Sequence, residues 1–71
     1  METIKITNEF ITLGQLLKYE NIVESGGMAK AFLIDFRVLV NGKQDQRRGR
    51  KLYPGDVIEI EDFTTYKIST E

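Results

Sequence analysis

The dipeptide Asn41-Gly42 follows directly on Val38, Leu39 and Val40, and no other feature restricts the fold of this chain as much. A type I′ turn needs positive φ at both central residues, and Asn followed by Gly meets that need at least steric cost, so a strand entering the pair must reverse onto a second strand. The middle of the chain is therefore a β-hairpin. Its returning arm is expected to carry Gln44, Gln46, Arg48 and Arg50 at alternate positions, with Gly49 a place for a bulge or break. Leu52 and Tyr53 are expected to resume the sheet. Pro54-Gly55-Asp56 then turns the chain, Pro presetting φ and Gly tolerating a positive value. Val57, Ile58, Glu59, Ile60 and Glu61 alternate with period two, the clearest strand signal present.

Two helices precede the hairpin. Thr12 with Gln15 three residues later fits a capping box, and Leu13, Leu16 and Leu17 then form one apolar stripe, predicting a helix to about Glu20 with Lys18 off that stripe. Ser25 is the candidate cap of a second helix from about Gly27 to Asp35, whose expected buried face is Met28, Ala29, Phe32 and Leu33. Only Asn21 to Glu24 separate the helices, which forces a compact helix-turn-helix. At the ends, Thr3 to Thr7 and Tyr66 to Ser69 alternate as short strands, and a chain this small would gain by pairing its two termini in one sheet. The expected class is α+β.

With 71 residues the chain holds one domain, residues 1–71. It has no Cys and no His, which excludes disulfide staples, thiolate nucleophiles, imidazole bases and the usual zinc ligands. Neither a cofactor nor a metal is expected. Glu59 and Glu61 alternate with Ile58 and Ile60 and so face solvent, Asp56 belongs to the turn, and Gly26-Gly27 lacks the Lys-Ser or Lys-Thr of a phosphate-binding loop. No apolar run approaches the roughly 20 residues of a membrane span, and Met1-Glu2 opens no signal-peptide pattern, so the expected location is the cytoplasm.

The formal charge of −1 conceals a strong polarity. From Arg37 to Tyr53 six cations stand against Asp45 alone, a surplus of five, whereas the remainder sets four lysines against ten acids, a deficit of six. A basic cluster on an otherwise acidic chain implies a directed anion-binding face rather than general adhesion to polyanions.

Four segments in register resemble a known family: Ser25-Gly26-Gly27-Met28-Ala29-Lys30, Val38-Leu39-Val40-Asn41-Gly42-Lys43, Arg47-Arg48-Gly49-Arg50-Lys51-Leu52 and Pro54-Gly55-Asp56-Val57-Ile58. They are similar to the RNA-binding domain first named for ribosomal small-subunit protein S-four, with the core motif at residues 12–61. The chain as a whole looks like the stand-alone bacterial S-four-like proteins of the YaaA and YbcJ type. The resemblance implies an alpha-L motif, in which a helix-turn-helix packs on a small, bent, mainly antiparallel sheet, with the terminal strands added to it. It also implies RNA contact by Ser25 and Lys30 at the second helix, Lys43 beside the hairpin turn, and Arg47, Arg48, Arg50 and Lys51, with Lys18 a weaker match. One departure stands out: the family commonly has Gly where this chain has Phe36, and a left-handed residue there would strain Phe, so a different helix exit is expected.

Each of these residues also has an ordinary role. Arg47 to Lys51 would serve as solvated charges on an exposed strand, Ser25 as a helix cap, Lys30 as a solvent-facing lysine, and Tyr19, Tyr53 and Tyr66 as core or rim residues rather than base-stacking platforms. Three arginines and a lysine within five residues nevertheless suit phosphate, because guanidinium forks hold its oxygens bidentately. The expectation is a monomeric, non-enzymatic module for structured RNA, in a ribosomal RNA or ribosomal-particle setting, using a basic hairpin and a helix N-terminus. The alternative is a protein-protein adaptor docking a partner by its acidic surface or an edge strand.

Overall fold

A computed structural model describes all 71 residues. The elements run β1 (Glu2–Ile6), β2 (Ile11–Thr12), α1 (Leu13–Tyr19), α2 (Gly26–Asp35), β3 (Val38–Val40), β4 (Lys43–Gln44), β5 (Lys51–Leu52), β6 (Val57–Ile60) and β7 (Thr65–Thr70). Five strands form one sheet in the order β1-β7-β6-β3-β4, while β2 and β5 make a separate two-stranded ribbon. The termini do pair: β1 lies parallel to β7, with Ile4 opposite Ile68, and every other pairing is antiparallel.

Alternation along the strands sends one face of the large sheet to the helices. Ile4, Ile6, Val38, Val40, Ile58, Ile60, Tyr66 and Ile68 are buried and join Leu13, Leu16, Leu17, Ala29 and Leu33 in a single core. No buried side-chain nitrogen or oxygen in that core lacks a hydrogen-bond partner. Helix α1 starts as expected, with Gln15 N–H donating to Thr12 Oγ1 at 3.2 Å and Thr12 N–H donating to Gln15 Oε1 at 2.8 Å. Ser25 caps α2 through Met28 N–H at 3.1 Å. Between the helices Asn21 takes a positive φ of 59°, which lets Ile22 and Val23 fold back against the core. The Asn41-Gly42 turn has φ of 52° and 85°, the signs a type I′ turn demands.

Three expectations need correction. The returning arm of the hairpin is only Lys43–Gln44, and the chain leaves the sheet at Asp45, so the basic residues lie on a loop rather than on a strand. The cause is competition for backbone partners: the Arg48 and Arg50 carbonyls are taken by the first turn of α1, and Lys51–Leu52 pair with β2 instead of rejoining β3. Met28 is 48% exposed, and the buried stripe of α2 is Ala29, Phe32 and Leu33. Tyr53 likewise lies outside the strands and is exposed.

Phe36 leaves α2 in extended conformation, φ −117° and ψ 142°, so the helix exits without any left-handed residue. Its ring stacks on Phe32 at 4.4 Å, and Phe63 closes edge-on against both. This aromatic group gives Phe a packing role where a glycine would leave a gap.

Candidate functional site

The basic loop is shaped by its backbone before its side chains matter. The first turn of a helix has N–H groups without intrahelical partners, and in α1 two of these are met from the loop: Leu13 N–H donates to Arg50 O and Gly14 N–H to Arg48 O, both at 2.8 Å. Gly14 permits the approach, because a Cβ there would stand 3.2 Å from Arg48 O and 3.3 Å from Arg48 Cβ. With the Arg48 and Arg50 carbonyls turned inward to α1, Arg47 and Arg48 are exposed and Arg50 is half-buried.

Asp45, the one buried polar or charged side chain, anchors the start of the loop. Its N–H donates to Val38 O at 3.0 Å as the last rung onto β3. Oδ1 accepts from Arg47 N–H and Arg47 Nε, both at 3.0 Å, while Oδ2 accepts from Arg47 Nη2 at 2.7 Å and Arg50 Nη1 at 2.8 Å. The Arg47 guanidinium bound to it, helped by the Arg47 N–H and by Arg50, holds the Asp45 carboxyl far below the usual carboxylate range despite the opposing effect of burial. The Arg47 side chain stays 71% exposed in this pairing, so it still faces solvent with most of its surface.

Arg48 reaches the other way. Its Nη1 donates to Gly26 O at 2.9 Å, laying the guanidinium along the first turn of α2. The Ser25 side chain accepts from Met28 N–H and its carbonyl from Ala29 N–H at 3.0 Å, completing that turn. Thr12, Gln15, Lys18, Gly26, Arg48 and Gly49 line an open cleft of about 260 Å³ that has no apolar lining residue. Arg47, Arg50, Lys51 and Tyr53 line a second cleft of about 560 Å³, and Gly49 borders both. Beside the second cleft, Lys51 Nζ sits 4.8 Å above the Phe10 ring, which packs against Tyr53 at 5.8 Å.

The fold thus gathers Lys18, Arg47, Arg48, Arg50 and Lys51 around two adjoining clefts, with Ser25 capping the helix at one side. Lys30 lies four residues beyond Gly26 on the same ridge of α2, exposed but not lining either cleft. Lys43, exposed on β4, lines neither. Of the tyrosines, Tyr66 is buried in the core whereas Tyr19 and Tyr53 are exposed. Sequence reasoning missed Asp45, Gly14 and Phe10. Asp45 had a signal, since Asp readily turns to accept the N–H two residues ahead, here that of Arg47.

Several donors of fixed direction with a local positive field suit an oxyanion-bearing ligand larger than one phosphate. A third cleft, on the far face of the large sheet, is lined by Arg37, Leu39, Glu59, Glu61 and Phe63 among others, and its two carboxylates oppose such a ligand. No helix is long and apolar enough to cross a membrane.

Residues 4–69 match the family model described as S4 domain. The chain is also 57% identical over 65 residues, 92% of each chain, to the probable ribosome maturation protein RlbA of Bacillus subtilis (strain 168).

Proposed function

The chain belongs to the S4-domain family, and on that premise we propose that it is a non-enzymatic module that binds structured RNA, in ribosomal RNA or a maturing ribosomal particle. One observation carries this reading: five cationic side chains, four from residues 47–51 and Lys18 from α1, surround two adjoining clefts, and the carbonyl oxygens of Arg48 and Arg50 are turned away into α1. Such a surface offers donors to phosphates with little competing acceptor character. The ribosomal setting draws on the similarity to a protein named for ribosome maturation.

Backbone and shape, rather than base sequence, are what this surface would read. An A-form helix hides its base edges in a deep, narrow groove, so a small rigid patch grips phosphates and 2′-hydroxyls. Arg47, Arg50 and Lys51 would supply contacts along one strand, with Arg48, Lys18 and the first turn of α2 reaching the next phosphates, and Lys30 and Lys43 as outer contacts. A second reading, a protein adaptor, draws on the unpaired outer edge of β1 and the exposed Glu59, Glu61 and Asp62.

The test is a salt series of binding to purified ribosomal subunits and to a structured ribosomal RNA fragment, comparing wild type with the double variant Arg47→Glu, Arg48→Glu. With about five phosphate contacts, log affinity should fall against log salt with a slope of about −3.5 to −4.5, and the folded variant should lose binding. Absence of wild-type binding to either target would refute the reading. Retention of binding to a protein component by the variant would favour the adaptor.

A further inference from the structure

We propose that Asp45 is a positioning residue for this cationic surface, setting the guanidinium planes of Arg47 and Arg50 before a ligand arrives so that the surface selects phosphate spacing over total negative charge. The inference rests on the RNA-binding reading above.

A carboxylate amid a basic cluster looks counterproductive, since it cancels one of the charges that attract a polyanion. Its geometry explains its presence. Asp45 engages Arg47 as a fork through Nε and Nη2, and the oxygen that receives Nη2 also receives Nη1 of Arg50, so the two guanidinium groups are fixed relative to each other by one shared atom. Arg50 is held further by Nε donating to Lys51 O at 3.3 Å. A guanidinium has five N–H donors, and each arginine uses two of them in these contacts, so each keeps three for a ligand. The backbone that carries both arginines is itself pinned, at Val38 through Asp45 and at Leu13 through Arg50. Long flexible side chains that would otherwise be ordered only on binding are thereby ordered in advance, which lowers the entropic cost of binding a ligand of matching spacing. Ligands of a different spacing gain nothing from this and meet the reduced charge.

The experiment compares wild type with Asp45→Asn, which keeps the side-chain shape, removes the charge and turns one oxygen into a donor facing two guanidinium groups. Three probes are used: the structured RNA fragment, unstructured polyuridine and heparin. Positioning predicts that affinity for the structured fragment falls by about tenfold, the worth of one charge-assisted hydrogen bond. It also predicts that heparin and polyuridine bind more tightly, with a steeper salt slope from the released charge. Equal or tighter binding of the structured fragment by the folded variant would overturn the proposal while leaving the RNA-binding reading intact, and a wild type that binds no RNA would overturn both. A measurement on wild type alone covers the case in which the variant does not fold. NMR relaxation of the arginine Nε–H groups in the free protein should show Arg47 and Arg50 ordered and Arg37 mobile, and equal mobility of all three would also overturn the proposal.

Discussion

Replacing Gly14 with valine tests the contact that joins the basic loop to the helical core. A Cβ at this position stands 3.2 Å from Arg48 O and 3.3 Å from Arg48 Cβ, with Ala29 Cβ at 3.8 Å, so even the first carbon of valine presses on the Arg48 backbone and its branching adds to the crowding. Arg48 O cannot retreat without stretching its 2.8 Å bond from Gly14 N–H. Overpacking of this kind costs about 1–3 kcal/mol. Weakening the hydrogen bond adds about 1 kcal/mol. Valine's better helix propensity returns only a few tenths of a kcal/mol. The net is about 2–3 kcal/mol, a large share of the roughly 4–11 kcal/mol that a domain of this size holds. Thermal unfolding followed by circular dichroism should therefore show a drop of about 10–20 °C. Gly27→Ala is the matched control: its Cβ would meet only Ser25 Oγ, at 3.9 Å, and the substitution should be neutral or slightly stabilising. If Gly14→Val melts with wild type, the loop is not held against α1 by this close approach and the reasoning fails.

Acid should weaken the domain through Asp45. Its carboxyl lies below the ordinary carboxylate range in the folded state, so it contributes stability at neutral pH that is lost progressively as the pH falls below about 4. The melting temperature of Asp45→Asn should accordingly lie several degrees below wild type at pH 7, and the gap should narrow steadily as the pH is lowered from about 4 toward 2 in a series of thermal melts. A gap independent of pH would show that the ion pairing contributes nothing. Phe36→Gly should destabilise by about 1–2 kcal/mol in urea unfolding, from loss of the 4.4 Å stack on Phe32 and the edge contact with Phe63. A neutral outcome would mean that Phe36 merely occupies the helix exit.

Local chemistry was enough to determine much of this protein from its sequence. The Thr12–Gln15 capping box, the Ser25 cap and the Asn41-Gly42 turn each depend on residues at most three apart, and period-two alternation fixed which face of β6 and β7 would be buried. The concentration of cations at Arg47 to Lys51 is likewise a property of neighbouring residues. Tertiary structure decided where those cations stand. A continued hairpin arm satisfied every local rule, but the unpaired N–H groups of Leu13 and Gly14, more than thirty residues away in sequence, took the Arg48 and Arg50 carbonyls and drew the chain out of the sheet. The parallel pairing of the termini, the reach of Arg48 to Gly26, and the exposure of Met28 have the same origin. Each depends on which distant group is free to donate, accept or cover once the core has formed, and no short window of sequence contains that information.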